Sequence, residues 1–142
     1  MLTEIKLDTF HYFIDENGLS QGEYKSFHAD GQLWVHTFFI NGKQHGEFKT
    51  YHINGKLSEH SFYLNGIRHG EYNAYHDNGK MWLHSFCLNG KLHGEYKTYY
   101  DNGNLNHATF YYQGTDLNVN PEDLTEKDKV YIMMSGRLPP KN

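Results

Sequence analysis

Three copies of a His-Gly-Glu triplet are the residues in this sequence best suited to chemistry. They are His45-Gly46-Glu47, His69-Gly70-Glu71 and His93-Gly94-Glu95. Imidazole nitrogens and carboxylate oxygens are both ligands of divalent transition metals. A further histidine, His60, falls on the neighbouring strand in the register predicted below. The candidate metal ligands are therefore His60, His69 and Glu71.

The alternative is a structural role for each triplet. A cross-strand His–Glu pair satisfies polar groups and adds about 0.2–1 kcal/mol. Threefold repetition favours this role, because a catalytic site normally departs from a repeat at one place. Ligands in successive repeats cannot share an ion, since two strand spacings separate them by roughly 10 Å. We therefore predict no metal, no cofactor and no catalytic residue.

Other catalytic arrangements find no support in the spacing of the residues. The glycines recur evenly as turn residues and do not cluster before a helix, as a phosphate-binding loop requires. Cys87 is the only cysteine, and it stands where other copies of the repeat have Phe39, Tyr63 and Tyr111. We interpret it as a packing residue in a reducing compartment. The chain is predicted not to be an enzyme.

Two turn dipeptides recur with the triplet at intervals of about 24 residues, and such a period indicates stacked repeats. The first dipeptide occurs at Asn17-Gly18, Asn41-Gly42, Asn65-Gly66, Asn89-Gly90 and, altered, Gln113-Gly114. The second occurs at Asp30-Gly31, Asn54-Gly55, Asn78-Gly79 and Asn102-Gly103. Asn-Gly between alternating segments is a strong hairpin signal. The pattern predicts an all-β fold: a single twisted antiparallel meander of roughly eight to ten strands.

Turn positions also predict which residues face each other. A two-residue loop at Asn54-Gly55 places Lys49 opposite His60. A two-residue loop at Asn65-Gly66 places His60 opposite Glu71. Because side chains alternate between faces, the same pairing sorts residues onto two faces. One of them, the His/Phe face, carries His36, His60 and His84, Phe38, Phe62, Phe86 and Phe110, and the glutamate of each triplet.

The His/Phe face also carries the two residues that depart most from the repeat. Trp34 and Trp82 stand where the other copies have Ser58 and Asn106. Large aromatic side chains on an open sheet are suitable anchors for a partner protein. Alternatively, each indole covers a neighbouring aromatic side chain. The predicted partner-binding residues are Trp34, Trp82, His36, His60, His84, Tyr51, Tyr75 and Tyr99.

Composition excludes several classes of protein. At 142 residues the chain is predicted to be one folding unit, and its net charge of −4 is of the wrong sign for binding nucleic acid. No apolar run approaches the roughly 20 residues of a spanning helix. The N-terminus lacks the basic and apolar regions of a signal peptide. We expect a cytoplasmic protein with no membrane contact, or only weak peripheral contact.

The ends of the chain depart from the repeat. Residues 1–16 are predicted to form a capping strand within a repeat sheet of residues 1–116. Residues 117–142 are predicted to form a helical cap, because Asn120-Pro121 followed by acidic residues is typical of a helix start. This cap is expected to cover the open edge of the last strand. The alternative is a detachable helix that binds a partner.

The repeat itself resembles a known family. The pattern Asn-Gly-Lys-x-His-Gly-Glu-Tyr-Lys-x-Tyr-x-x-Asn-Gly-Lys-Leu, which residues 89–105 follow closely, is similar to the MORN repeat. It is most similar to the bacterial and viral variant found in YwqK-type antitoxin-like proteins. The resemblance implies hairpin repeats that form an elongated, twisted sheet with a groove, used mainly for contact with proteins. It supplies no catalytic residues.

These observations lead to three functional hypotheses. The first is a non-enzymatic module that binds a partner protein of unknown identity, either a toxin or a host factor. The second is a membrane-lipid-associated scaffold, and the third is a metal-dependent activity at one histidine cluster. Open strand edges also allow a homodimer. We predict the first.

Overall fold

The computed structural model describes residues 1–141, which form one antiparallel sheet and one C-terminal helix. The strands are β1 Thr3–Lys6, β2 Phe10–Ile14, β3 Gly22–Phe27, β4 Leu33–Ile40, β5 Lys43–Tyr51, β6 Leu57–Leu64, β7 Ile67–Tyr75, β8 Met81–Leu88, β9 Lys91–Leu92, β10 Gly94–Tyr99, β11 Leu105–Tyr112 and β12 Thr115–Asp116. They follow one another across the sheet, and β9 pairs with β8 beside β10. The predicted fold class, an all-β meander with a short C-terminal helix, is confirmed.

The two turns of each repeat have different geometries. At Asn65-Gly66 both residues have positive φ, 51° and 82°, which is the two-residue type I′ turn predicted for this hairpin. At the second turn only the glycine, Gly55, has positive φ. The Gly55 amide donates to the carbonyl of His52 at 2.8 Å, so this loop has three residues and a bulge.

The His-Gly-Glu triplets lie at a second irregularity, which makes part of the predicted register wrong. Near the turn Tyr63 pairs with Arg68, but beyond Gly70 the pairing advances by two residues on β7, and Ser61 pairs with Tyr72. Gly70 has a φ of 97°, which favours glycine and accommodates the extra residues. His60 consequently lies opposite Asn73 and not opposite Glu71.

Side-chain ladders join each repeat to the next. His28, His52 and His76 stand before the second turn, and the ring nitrogen of each lies 2.8–2.9 Å from a backbone carbonyl of the following repeat. The accepting carbonyls are those of Tyr51, Tyr75 and Tyr99. These tyrosines therefore take part in the stacking of repeats through their backbone.

The face opposite the His/Phe face contains a row of small buried residues at the centre of the sheet. Thr37, Ser61, Ser85 and Thr109 are almost fully buried. Edge-to-face aromatic pairs flank the row: Tyr24 with Phe39, Phe48 with Tyr63 and Tyr96 with Tyr111. Their ring centroids lie 5.4–5.7 Å apart, a favourable geometry for such pairs. The sheet therefore buries this face largely against its own side chains.

The C-terminal segment forms a 3₁₀ turn over Pro121–Asp123 and then helix α1, Glu126–Ser135. Thr125 and Asp128 form a capping box at the start of α1. The helix lies against the His/Phe face of the last hairpin, because its side chains reach β10 and β8, inward of the edge strand β12. Within the predicted cap, the 3₁₀ turn contacts β11 next to the edge, whereas α1 lies inward of it. The predicted cap extends to residue 142, which lies outside the described residues.

No helix within residues 1–141 combines the length and apolar character needed to cross a membrane.

Candidate functional site

The His/Phe face exposes large aromatic side chains over the first three repeats. The side chain of Trp34 is 50% exposed and that of Trp82 is 45% exposed. In the alternating burial of β4, Trp34 falls with His36 and Phe38, two and four residues along the strand, and the pairing with β3 is irregular at Trp34. The Trp34 ring stacks on His28, with centroids 5.5 Å apart, so one of its surfaces is covered and the rest faces solvent. Trp34 therefore covers a neighbouring aromatic ring with one surface and leaves the rest of its side chain exposed for a partner.

The histidines and glutamates of this face form cross-strand pairs in the first two repeats. The His36 ring nitrogen lies 2.9 Å from a carboxylate oxygen of Glu23, and that of His60 lies 3.0 Å from Glu47. Each pair joins a histidine to the preceding strand, whereas the predicted register paired it with the following strand. A lysine also lies 3.3 Å from each carboxylate.

These pairs predict a loss of stability in acid. The hydrogen bond from His36 lowers the pKa of Glu23, and hydrogen bonds from Lys49 and His60 lower that of Glu47. A carboxyl group with a lowered folded pKa contributes stability above its unfolded pKa, about 4.3, and loses it as the pH falls through the folded value. We expect the free energy of unfolding to decrease below about pH 4.3.

Chemical denaturation between pH 3 and pH 7 measures this effect. Glu23→Gln/Glu47→Gln should make the free energy of unfolding less dependent on pH over the acidic range, because these two groups no longer titrate. Asp8→Asn, at an exposed position whose carboxylate makes no ion pair within residues 1–141, is the control and should leave the profile unchanged. An unaltered profile in the double variant would contradict the assignment of stabilising pairs.

The candidate metal ligands do not form a cluster. Among residues 1–141, no group of three or more His, Cys, Asp or Glu side chains is arranged to hold a metal ion. The bulge at Gly70 places Asn73, and not Glu71, opposite His60. His45 and His93 instead accept hydrogen bonds from the backbone amides of Asn65 and Gln113, at 3.4 and 3.0 Å. Both amides lie in the Asn-Gly-type turn that follows the histidine by about 20 residues. The histidines of these two triplets therefore connect repeats.

The third repeat departs from its neighbours on the opposite face. Cys87 replaces the aromatic partner of Tyr72, and the Arg68 guanidinium lies 4.2 Å from the Tyr72 ring centroid in its place. Arg68 also contacts Glu59 at 3.0 Å. Burial raises the pKa of the Cys87 thiol, with Arg68 opposing the shift. A protonated thiol is a poor nucleophile, in agreement with a packing role.

The third repeat departs on the His/Phe face as well. Asn73 replaces the lysine found in the other repeats, and its side chain engages both His84, at 2.7 Å, and Glu71, at 3.3 Å. In the described part of the chain Glu71 makes no ion pair, and its side chain is exposed. The corresponding Glu23, Glu47 and Glu95 all lie near cations. Glu71 is thus the glutamate of this set that is free to pair with a cation from outside.

An apolar cleft of about 450 Å³ adjoins Glu71 on this face. Its walls include Gly70, Phe86 and Leu88 on the sheet and Met133 on α1. Glu71 is not part of this lining, but Gly70 precedes it in the chain and Phe86 lies opposite it, so the cleft begins one residue from Glu71. This arrangement suits a ligand with an apolar side chain and a cation close to each other.

Helix α1 occupies the equivalent surface of the last repeat. Lys129 lies 2.8 Å from Glu95, and the Met133 methyl group lies over Gly94, in the cleft that Phe86 also lines. Phe110, the last phenylalanine of the row, is only 2% exposed. The sequence prediction missed these contacts, and it named Glu71 only as a possible metal ligand and not as an unpaired carboxylate. The available signal was Asn73, which breaks the series of Lys25, Lys49 and Lys97.

Comparisons with known proteins identify the repeat. A family model described as a MORN repeat variant matches residues 20–41, 44–65, 68–86 and 92–113, more than half of the chain. No curated protein is significantly similar to the chain. Among solved structures, the chain is similar to that titled "Crystal Structure of TarM", with 19% identity and a TM-score of 0.35. The match covers 64% of this chain and only 20% of that chain.

Proposed function

The chain belongs to the MORN repeat variant family, and we propose that it binds a partner protein through its His/Phe face. Repeats of this family are generally modules for binding proteins or membranes and are typically non-catalytic. The family thus supports a binding role, and the choice of face and of a protein partner is our proposal.

The exposed indoles of Trp34 and Trp82 are the observation that carries this proposal. They lie on the same face, two repeats apart, which corresponds to four strand spacings or about 19 Å. Tryptophan is enriched among the residues that dominate binding energy at protein interfaces. Two anchors at this distance suit a partner that extends across the repeats.

Charge on the same face favours a protein over an anionic lipid surface. Lys25 and Lys49 each lie 3.3 Å from a glutamate, so their charges are balanced locally. Binding to anionic lipid headgroups depends on clustered basic residues that are not neutralised in this way. The net charge of −4 also favours a protein partner over an anionic lipid surface.

Affinity capture with the intact chain from an extract of its source organism tests this proposal. We expect wild-type protein to retain a partner, and Trp34→Ala/Trp82→Ala to lose it. Each truncated anchor should weaken binding by about 2 kcal/mol or more, roughly 30-fold. The identity of the retained protein also tests the hypothesis of an antitoxin-like or host-factor-binding role.

Tyr100→Ala is the matched control, because this aromatic residue is equally exposed but lies at a second turn. It should retain the partner. Thermal melts of all variants establish that they are folded. A Trp34/Trp82 double variant that retains the same partner as wild type would exclude the His/Phe face as the binding surface.

A further inference from the structure

We infer that the cleft beside α1 binds a helix of the partner protein, with a Lys or Arg on Glu71 and a Met or Leu, four residues later, in the cleft. This inference rests on the proposed function and specifies where on the His/Phe face the partner lies. Three observations carry it: the unpaired carboxylate of Glu71, the apolar cleft next to it, and the way α1 itself binds the next repeat.

The contacts of α1 show how this surface accepts a helix. Lys129 pairs with Glu95, and Met133, one helical turn later, lies over Gly94 and lines the same cleft as Phe86. Further along the chain, Gly136 lies against the Tyr112 ring, close to the turn at Gln113-Gly114. These contacts proceed along the hairpin, so the helix axis follows the strands.

The third repeat presents the same set of groups without a helix on it. Glu71 corresponds to Glu95 and Gly70 to Gly94, and Phe62 lies beside Gly70 as Phe86 lies beside Gly94. Glu71 is exposed, and Asn73 stands two residues later, where the other repeats have a lysine. A cation from the partner therefore meets no competing ion pair there, whereas Glu23 and Glu47 already have cationic neighbours.

The repeat spacing matches the spacing of packed helices. Successive repeats are two strand spacings apart, about 9.5 Å. Axes of packed helices are 8–10 Å apart. A helix that lies over the third repeat would therefore pack directly against α1. The side of α1 available to it includes Met133, which lines the cleft and is 39% exposed.

A synthetic peptide of residues 120–137, with blocked ends and a fluorophore, serves as the probe because it carries the Lys129 and Met133 pattern. Fluorescence anisotropy measures its binding to the intact chain. We expect saturable binding that Glu71→Lys weakens at least about tenfold, through loss of a charge pair and added repulsion. Glu23→Lys, at the same repeat position, should change the affinity less than about twofold.

Charge reversal in the peptide makes the test independent of any folding defect. A peptide with Lys129→Glu should bind wild type poorly and regain affinity for Glu71→Lys. Equal binding of the original peptide to wild type and Glu71→Lys would overturn the inference. Self-association of the intact chain that Glu71→Lys abolishes would also overturn it, because the occupant would then be a second copy.

The two proposals fail separately. If capture of the partner requires Trp34 and Trp82 but is unchanged in Glu71→Lys, the His/Phe face binds a protein and the assignment of the cleft is wrong. If the Glu71→Lys chain loses the partner together with the peptide, both proposals are supported.

Discussion

Replacing Phe110 by alanine is expected to destabilise the protein by about 3–5 kcal/mol, the usual cost of truncating a fully buried phenylalanine. The Phe110 side chain is 2% exposed and lies at the cleft beside α1, which Met133 also lines. Truncation removes apolar surface from the contact that holds the helix on the sheet. It also leaves a cavity that the paired strand β10 cannot fill without losing its register.

Phe38→Ala is the matched control, because Phe38 holds the same position in an earlier repeat and is 37% exposed. Since no part of residues 1–141 covers it as α1 covers Phe110, its truncation should cost about 1 kcal/mol or less. Urea denaturation of both variants measures the difference. Equal losses would contradict the conclusion that α1 contributes to the stability of the last repeat.

The sequence predicted the features that depend on local backbone preference. Asn65-Gly66 has the type I′ geometry that its residue types require, and Asn120 caps the 3₁₀ turn at Pro121 that precedes α1. Repetition of these signals at a fixed interval was enough to predict a single meander. The position of α1 was not predictable in the same way, because it depends on contacts between Lys129 or Met133 and residues more than thirty positions away.

The candidate site was predicted in composition but not in its pairing. The sequence placed the histidines and phenylalanines on one face, which agrees with the ring contacts of His36 with Phe38, His60 with Phe62 and His84 with Phe86. It assigned His60 to Glu71, although His60 pairs with Glu47. A glycine within a strand pattern signals a bulge. Because the triplet recurs at a constant interval, the two-residue advance at each bulge was not visible in the period of the sequence.

Replacing Gly70 by alanine distinguishes the two registers by the sign of its effect. In the regular strand that the sequence suggested, alanine would stabilise the protein by about 0.5–1 kcal/mol, because glycine loses more backbone entropy on folding. In the structure Gly70 has a φ of 97°, a conformation that L-residues rarely adopt. We therefore expect Gly70→Ala to destabilise the protein by about 1–3 kcal/mol.

Ala74→Gly, four residues along the same strand, provides the control. Ala74 is buried and, unlike Gly70, does not have a positive φ, so glycine there should cost about 0.5–1 kcal/mol. Both substitutions should therefore destabilise, although they exchange the same two residue types in opposite directions. Only a positive φ at position 70 accounts for that result. A free energy of unfolding that rises in Gly70→Ala would restore the unbulged register, and with it the pairing of His60 with Glu71.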